Sequence, residues 1–329
     1  MGRYAERAEG AVRLLRSLVS RLSGESGPGG DPDTLHRLVS LLVLQEHLSQ
    51  RRATRAAEGG AQAIQRELRA ILFDPDSADG LAQVLNNLRS TAERIRERLS
   101  LDIWHTLSEL TDIPKTFGNI KGQNPDDAIR VLSLMIQHLA ALNGMVMENM
   151  TRSYAWRFLD MGRRLERVRH LSRLTRHLTT KGAPEERVDL HLLLELADSS
   201  ITYRTRYKSI PKLAPVLDLL LADETNPRSV IFQFTQVEAH LSTLPEEQVS
   251  VIVTPASRIL TRLGTELRLA NMMELSEVNP NTGLRYRLDR LVRQLDKGVH
   301  ELSDIVASTY FSHSTPQRIS GPQWVETHL

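Results

Sequence analysis

From Arg3 to Leu22, apolar residues fall at Ala8, Ala11, Val12, Leu15, Leu18, Val19 and Leu22, the three-and-four spacing of an amphipathic helix. Gly24 to Asp33, rich in glycine and proline, reads as a linker. The helical period returns over 35–48, apolar enough to lie at the centre of a bundle, and again over 58–72. Asp74-Pro75 has the form of an N-cap followed by proline at the first helical position, which predicts a helix to about Leu99. Residues 101–110 continue in register. Pro125 opens a helix to about Met147, and another spans 151–178. Past Lys181-Gly182-Ala183-Pro184, a further helix is expected to reach Tyr203. Pro211 and Pro215 confine the next to a short apolar piece ending near Ala222. Asn226-Pro227 reads as a second N-cap and proline start, opening a helix to Leu244 before Pro245 breaks it. Helices over 247–269 and 284–310 complete the pattern. No stretch shows a convincing strand pattern, so the chain reads as all-α.

Two of these helices carry the same phrase. Met1-Gly2-Arg3-Tyr4-Ala5-Glu6-Arg7 reappears as Met161-Gly162-Arg163-Arg164-Leu165-Glu166-Arg167, at an offset of 160 residues. The match continues through Arg13/Arg173, Leu14/Leu174, Arg16/Arg176 and Leu18/Leu178. Asp74-Pro75-Asp76-Ser77 is echoed more weakly by Asn226-Pro227-Arg228-Ser229. Two matches in the same order suggest an internal duplication and a bundle of two related halves. The expected division is a first helical half over 1–112, a central loop over 113–126 carrying proline and glycine, and a second half over 127–329, together one domain.

Composition narrows the chemistry. Aromatics make up only 5% of the 329 residues, and Leu with Ala fills the apolar positions, which favours helices. Six of the 42 basic residues are lysine, so arginine supplies most of the positive charge. Arginine is the planar fork suited to carboxylate or phosphate. The net charge is +2, a poor argument for a nucleic-acid ligand. Without cysteine, disulfides, thiolate catalysis and zinc–thiolate sites are excluded. No apolar run approaches the roughly 20 residues of a membrane-spanning helix. With no signal-peptide core at the start, a cytoplasmic location is the expectation. Glycine-rich phosphate loops and Glu-x-x-His metal pairs are missing.

Two constellations stand out. On one helix Arg163, Glu166, Arg167 and His170 share a face, and a glutamate among arginines there could orient a carboxylate or phosphate ligand. The competing reading is a structural ion-pair network that sets how the two copies pack, with Gly2 and Gly162 permitting close approach. The second is the polar segment from Asp198 to Ser229. Tyr203, Arg204, Arg206 and Tyr207 lie at one end, and Asp223, Asn226, Arg228 and Ser229 at the other. These residues make a plausible polar pocket, in which the free N–H groups opening the Asn226-Pro227 helix would favour an anion. The bland alternative is capping and loop anchoring. Near the end of the chain, Tyr310-Phe311-Ser312-His313 either docks its aromatics on the bundle or offers His313 as an acid–base residue.

These same residues carry a family resemblance. GRYAERAE at the start, MTRSYAWRFLDMGRRLERVRHLSRL at 150–174 and DSSITYRTRYKSIPKLAPVLDLLLADETNPRSVIFQF at 198–234 resemble the alpha-E domain, a bacterial all-helical family with a Glu-Arg motif. RERLSLDIW at 96–104 and TYFSH at 309–313 are similar to it too. The motif falls on Glu6-Arg7, beside Arg3, and on Glu166-Arg167, beside Arg163. Family members carry a further stretch before the Gly-Arg-Tyr position, whereas Met1 abuts it here. The resemblance implies association with a circularly permuted ATP-grasp protein, often with a transglutaminase-like peptidase nearby. On that basis the chain is expected to be an interaction or substrate-presenting module in ATP-dependent amide or peptide bond formation, or peptide modification. ATP and Mg are implied only for the partner ligase, and the substrate would be a peptide or amino acid. The alternative is a stand-alone acyl-transfer or hydrolytic enzyme using the 198–229 cluster, with Tyr203 or His313 as acid–base.

Overall fold

The computed structural model describes residues 1–24, 32–74, 80–118, 125–182, 186–250 and 252–311. In chain order the helices are α1 (Gly2–Leu22), α2 (Pro32–Leu44), α3 (Gln50–Glu58), α4 (Gly60–Phe73), α5 (Leu81–Glu93), α6 (Leu101–Gly118), α7 (Pro125–Asn149) and α8 (Tyr154–Thr179). There follow α9 (Glu186–Leu196), α10 (Ser200–Tyr207), α11 (Leu213–Leu217), α12 (Val230–Leu241), α13 (Pro245–Val249), α14 (Pro255–Arg268), α15 (Met272–Ser276) and α16 (Tyr286–Phe311). No strand occurs among the described residues, so the fold is all-α.

Helices α1 and α8 form the centre. Ala5, Ala8, Ala11, Val12, Leu14, Leu15 and Leu18 are all buried, which surrounds α1 with apolar contact on several faces rather than one stripe. Helix α1 packs on α8, α7 and α5, and α6 packs on α7 and α5. Helix α8 packs on α1, α16 and α12, and α14 packs on α16 and α12. Each central helix thus has the same arrangement of neighbours. The helix opening at Pro125, placed with the second half by the sequence pattern, packs along α1 and α6.

Gly2 lies against Leu159 and Gly10 against His170, so α1 and α8 run parallel. A Cβ on Gly2 would sit 2.0 Å from the Leu159 carbonyl oxygen, whereas one on Gly162 meets nothing nearer than Arg3 Cγ at 3.6 Å. Only the first glycine of the repeated phrase is required by close approach.

Several boundaries differ from the periodicity. Helix α6 continues through Pro114 to Gly118, into the segment expected as central loop, because burial of Leu110 and Ile113 outweighs the local cost of the proline. The helix expected to reach about Leu99 ends at Glu93 and gives way to a 3-10 turn at Arg96–Arg98. The one expected over 58–72 is α4, preceded by the separate short helix α3, and its Asp74-Pro75 successor begins outside the described residues except for Asp74. The run to Tyr203 breaks at Asp198, whose left-handed backbone (φ 53°) separates α9 from α10. The segment expected as one helix over 247–269 is α13 and α14. Pro255 starts the second, and Thr254 caps it by accepting from the Ser257 N–H. Helix α12 begins after Ser229, not Asn226, because the Ser229 hydroxyl accepts from the Phe232 N–H. Residues Asp126–Asn149 of α7 are long and apolar enough to cross a membrane by length and composition alone, and the same helix packs along α1 and α6.

Candidate functional site

The repeated Glu-Arg phrase is exchanged between the two central helices. Arg167 grips Glu6 through Nε and Nη2 at 2.6 and 2.7 Å, and Arg7 grips Glu166 through Nε and Nη2 at 2.6 and 3.2 Å. Each is a fork-on-carboxylate pair, the strongest geometry for such bonds. Parallel helices carrying Glu-Arg at the same height form such a crossed square whenever the two copies face each other. The square is lopsided in its exposure: the side chains of Arg167 and Glu6 are 13% and 7% exposed, that of Arg7 35%. Burial disfavours charge on both arginines, but Glu6 outweighs it for Arg167 and Glu166 for Arg7, and both pKa values rise.

Beside the square, Glu9 is a buried hub. Arg13 donates to Glu9 Oε1 at 3.0 Å and Arg228 at 2.8 Å, while both guanidinium groups also reach Asp198 Oδ2 at 2.8 Å. Burial would raise the Glu9 pKa, but Arg228, Arg167 and Arg13 lower it to about 2. Through Arg228 and Asp198 this hub ties the 198–229 segment to α1. Glu9 was not among the residues singled out from sequence. The available signal was its place one turn beyond Glu6, on the same face as Arg13. The remaining void beside Glu9, Arg13 and Arg228 is about 30 Å³, room for one water rather than a substrate.

Arg163 turns away from this network and donates to Asp160 at 2.7 Å. Asp160 is buried and also takes bonds from Arg164 Nε at 2.6 Å and His240 Nε2 at 2.8 Å. Burial opposes its charge, yet these partners hold its pKa well below the usual carboxylate range. Arg3 lies along the face of Gly162. The face shared by Arg163, Glu166, Arg167 and His170 in sequence therefore divides: Arg163 serves a different carboxylate.

The rest of the 198–229 segment is used within the chain. The Tyr203 ring is fully buried, and its hydroxyl accepts from the Lys212 N–H at 3.2 Å, fastening the loop before α11. Tyr207 donates to Asp218 Oδ2 at 2.7 Å, and burial with that carboxylate raises the phenol pKa. Arg206 pairs with Asp223, whose Oδ1 takes the Thr225 N–H at 2.9 Å. Asn226 bridges the Leu219 carbonyl and the Arg228 N–H, at 2.9 and 3.0 Å. The Ser229 hydroxyl donates to the Asp223 carbonyl at 2.6 Å besides capping α12. Arg204 is exposed and, among the described residues, reaches the Ser200 carbonyl at 3.4 Å. Tyr203, Arg204 and Arg206 do not converge, and the pocket expected there is replaced by a capped, bridged turn. His313 lies outside the described residues; its neighbours Tyr310 and Phe311 pack on Phe158, with ring centroids at 5.3 and 4.8 Å.

A ligand-sized opening lies on the Arg7 side of the square. A cavity of about 310 Å³ is lined by Tyr4, Arg7, His47, Glu166, Arg169 and His170, among others. The His47 ring is buried and that of His170 partly buried, so desolvation favours the neutral ring; it lowers the His47 pKa to about 4, and lowers that of His170 as well. Gly10 makes room for His170, since a Cβ there would lie 2.8 Å from its Cε1. The cavity combines guanidinium forks for an anion with imidazoles that neither donate positive charge nor repel it near neutral pH.

A helical domain with a central, paired Glu-Arg motif is the class that fold and site define. The family model of the Alpha-E domain, described as a predicted alpha-helical domain with a conserved ER motif, matches residues 1–311, and the chain belongs to that family. It is 27% identical over 327 residues to the uncharacterized proteins Rv2567 of Mycobacterium tuberculosis and Mb2597 of Mycobacterium bovis. Those matches cover 94% of this chain but 36% of each relative, so the chain spans about a third of the length of the curated relatives it matches. No solved structure matches it.

Proposed function

We propose that the chain is an interaction and substrate-presenting module that works with a circularly permuted ATP-grasp ligase in amide or peptide bond formation, or in peptide modification. Membership of the Alpha-E family carries this reading. In the two mycobacterial relatives the matched region is one part of a protein nearly three times as long, in keeping with a module that serves a larger assembly. The chemistry of the site agrees. Tyr203, Tyr207, Asp223, Asn226 and Ser229 all have intramolecular partners, which suits a rigid presenting surface better than an acid–base centre. ATP and Mg belong to the partner ligase, and a transglutaminase-like peptidase would act on the same peptide. A cytoplasmic location for all three is part of this proposal.

The test is a reconstitution. The ATP-grasp ligase from the same genome is assayed for ATP-dependent ligation of peptide acceptors, with and without the chain. A stable complex and faster ligation are expected. Equal turnover and no complex would remove the reading.

A further inference from the structure

Helices α8 and α16 pack antiparallel, with Arg173 against Asp296 and Arg176 against Asp289. Along their seam runs a groove of about 930 Å³, three times the cavity beside Arg7. Arg169, Arg173, Arg176 and Lys181 line one wall; Arg293 and Lys297 line the other. Two carboxylates sit among these six cations. Asp296 lies 3.3 Å from Arg173 and 3.7 Å from Arg169, and Asp289 lies 2.8 Å from Arg176 and 2.7 Å from Arg293. Each aspartate holds two arginines in place by one edge, and a guanidinium has five donors to offer. The groove keeps a clear excess of positive charge, and exposed Lys181 and Lys297 have no carboxylate partner among the described residues. Glu166 and Glu46 also approach Arg169 and Arg173, at 3.8 and 4.0 Å, so four carboxylates in all stand against the six cations.

We propose that this groove binds an extended acidic peptide, with carboxylate side chains seated on Arg173, Arg176, Lys181 and Lys297. Three observations favour a peptide over a compact phosphate. The cations are dispersed, because the two aspartates anchor them in separate pairs rather than letting them converge on one point. From Arg169 to Thr179 the helical wall rises about 15 Å at 1.5 Å per residue, with Lys181 just beyond its end, the span of an extended chain of about five residues. Leu44 and Val292 also line the groove and offer apolar contact to the methylenes of a glutamate. Were the chain a presenting module, this would be the acceptor it presents; the groove's chemistry does not depend on that role.

The experiment titrates the full chain into fluorescein-labelled pentaglutamate and follows anisotropy at low and at 0.15 M salt on the order of physiological ionic strength. Pentaglutamine serves as the neutral peptide and tripolyphosphate as the compact anion. Pentaglutamate is expected to bind in a salt-sensitive way, and pentaglutamine not at all. The double variant Lys181→Glu with Lys297→Glu, both exposed and unpaired, is expected to bind at least about tenfold more weakly. Arg98→Glu, on the 3-10 turn of another face, should bind as the parent does. Circular dichroism of the variants checks the fold. Binding of tripolyphosphate without pentaglutamate would make this a phosphate site and overturn the proposal, as would equal binding by the double variant or no binding of either anion. Because the readout needs no ligase, failure here leaves the ligase reading standing, and failure of the ligase assay leaves the groove standing.

Discussion

Glu6 on α1 is held by Arg167 on α8, 161 positions later, through two guanidinium bonds of 2.6 and 2.7 Å. The pair is nearly dry, and Arg167 also feels Glu9 at 3.9 Å. Its mirror, Arg7 with Glu166, is wetter on the arginine side. The two copies of one phrase thus sit in unequal surroundings.

That inequality sets the first prediction. Glu6→Ala leaves a buried arginine without its principal partner and should cost about 3 kcal/mol in urea unfolding. Arg7→Ala, at a half-exposed position, should cost about 1 kcal/mol. Replacing both Glu6 and Arg167 by Leu and Met should recover most of the loss, since removing both charges removes the desolvation penalty. Equal costs for Glu6→Ala and Arg7→Ala would contradict the asymmetry.

The two glycines of the phrase should also behave differently. Gly2→Ala drives a methyl into the Leu159 carbonyl and should lower stability by about 2 kcal/mol, the cost of overpacking. Gly162→Ala meets only ordinary contact and gains helix propensity, so stability should hold or rise by up to about 1 kcal/mol. Melting temperatures of the two variants decide this directly.

Stability should depend on pH through His47 and His170. Both have pKa values lowered by burial, His47 to about 4 against 6.5 for an unburied ring. Between those values the unfolded chain binds more protons than the folded one, so stability rises with pH across that window and falls on acidification. The His47 shift alone is worth about 3 kcal/mol between pH 7 and pH 4. Urea midpoints measured from pH 4 to 7 should follow this slope, and His47→Asn should flatten it.

Within the 198–229 segment, neighbouring residues should give opposite results. Arg204→Ala touches an exposed side chain and should change stability by less than about 0.5 kcal/mol. Tyr203→Phe deletes the hydroxyl that accepts from the Lys212 N–H and should cost about 1 kcal/mol, with faster hydrogen exchange at that amide.

Much of the fold is legible from local pattern. The apolar positions of 3–22, 125–147 and 151–178 recover α1, α7 and α8 because their period is set by helix geometry alone. The misplaced start of α12 had a local cause: Asn226-Pro227 and Ser229 are both good caps, and only the Asn226 bridge to Leu219 shows which one the helix uses. The candidate site was less legible. Glu6, Arg7, Glu166 and Arg167 stand out by repetition, but Glu9 has no acidic counterpart in the second copy, where Arg169 stands at the same offset.

The sequence by itself determined that the chain is helical, that two helices carry one phrase, and which family it joins, since period, repetition and motif are all properties of residue order. Tertiary structure decided that the phrase is exchanged between the helices rather than satisfied within each. It decided that Asp198 and Arg228 close on Glu9, and that α8 and α16 leave a basic groove between them. Those facts depend on which faces of distant helices meet. An ion pair 161 residues apart has no local signature; it exists only once burial of α1 against α8 brings the two carboxylates within reach of the opposite arginines.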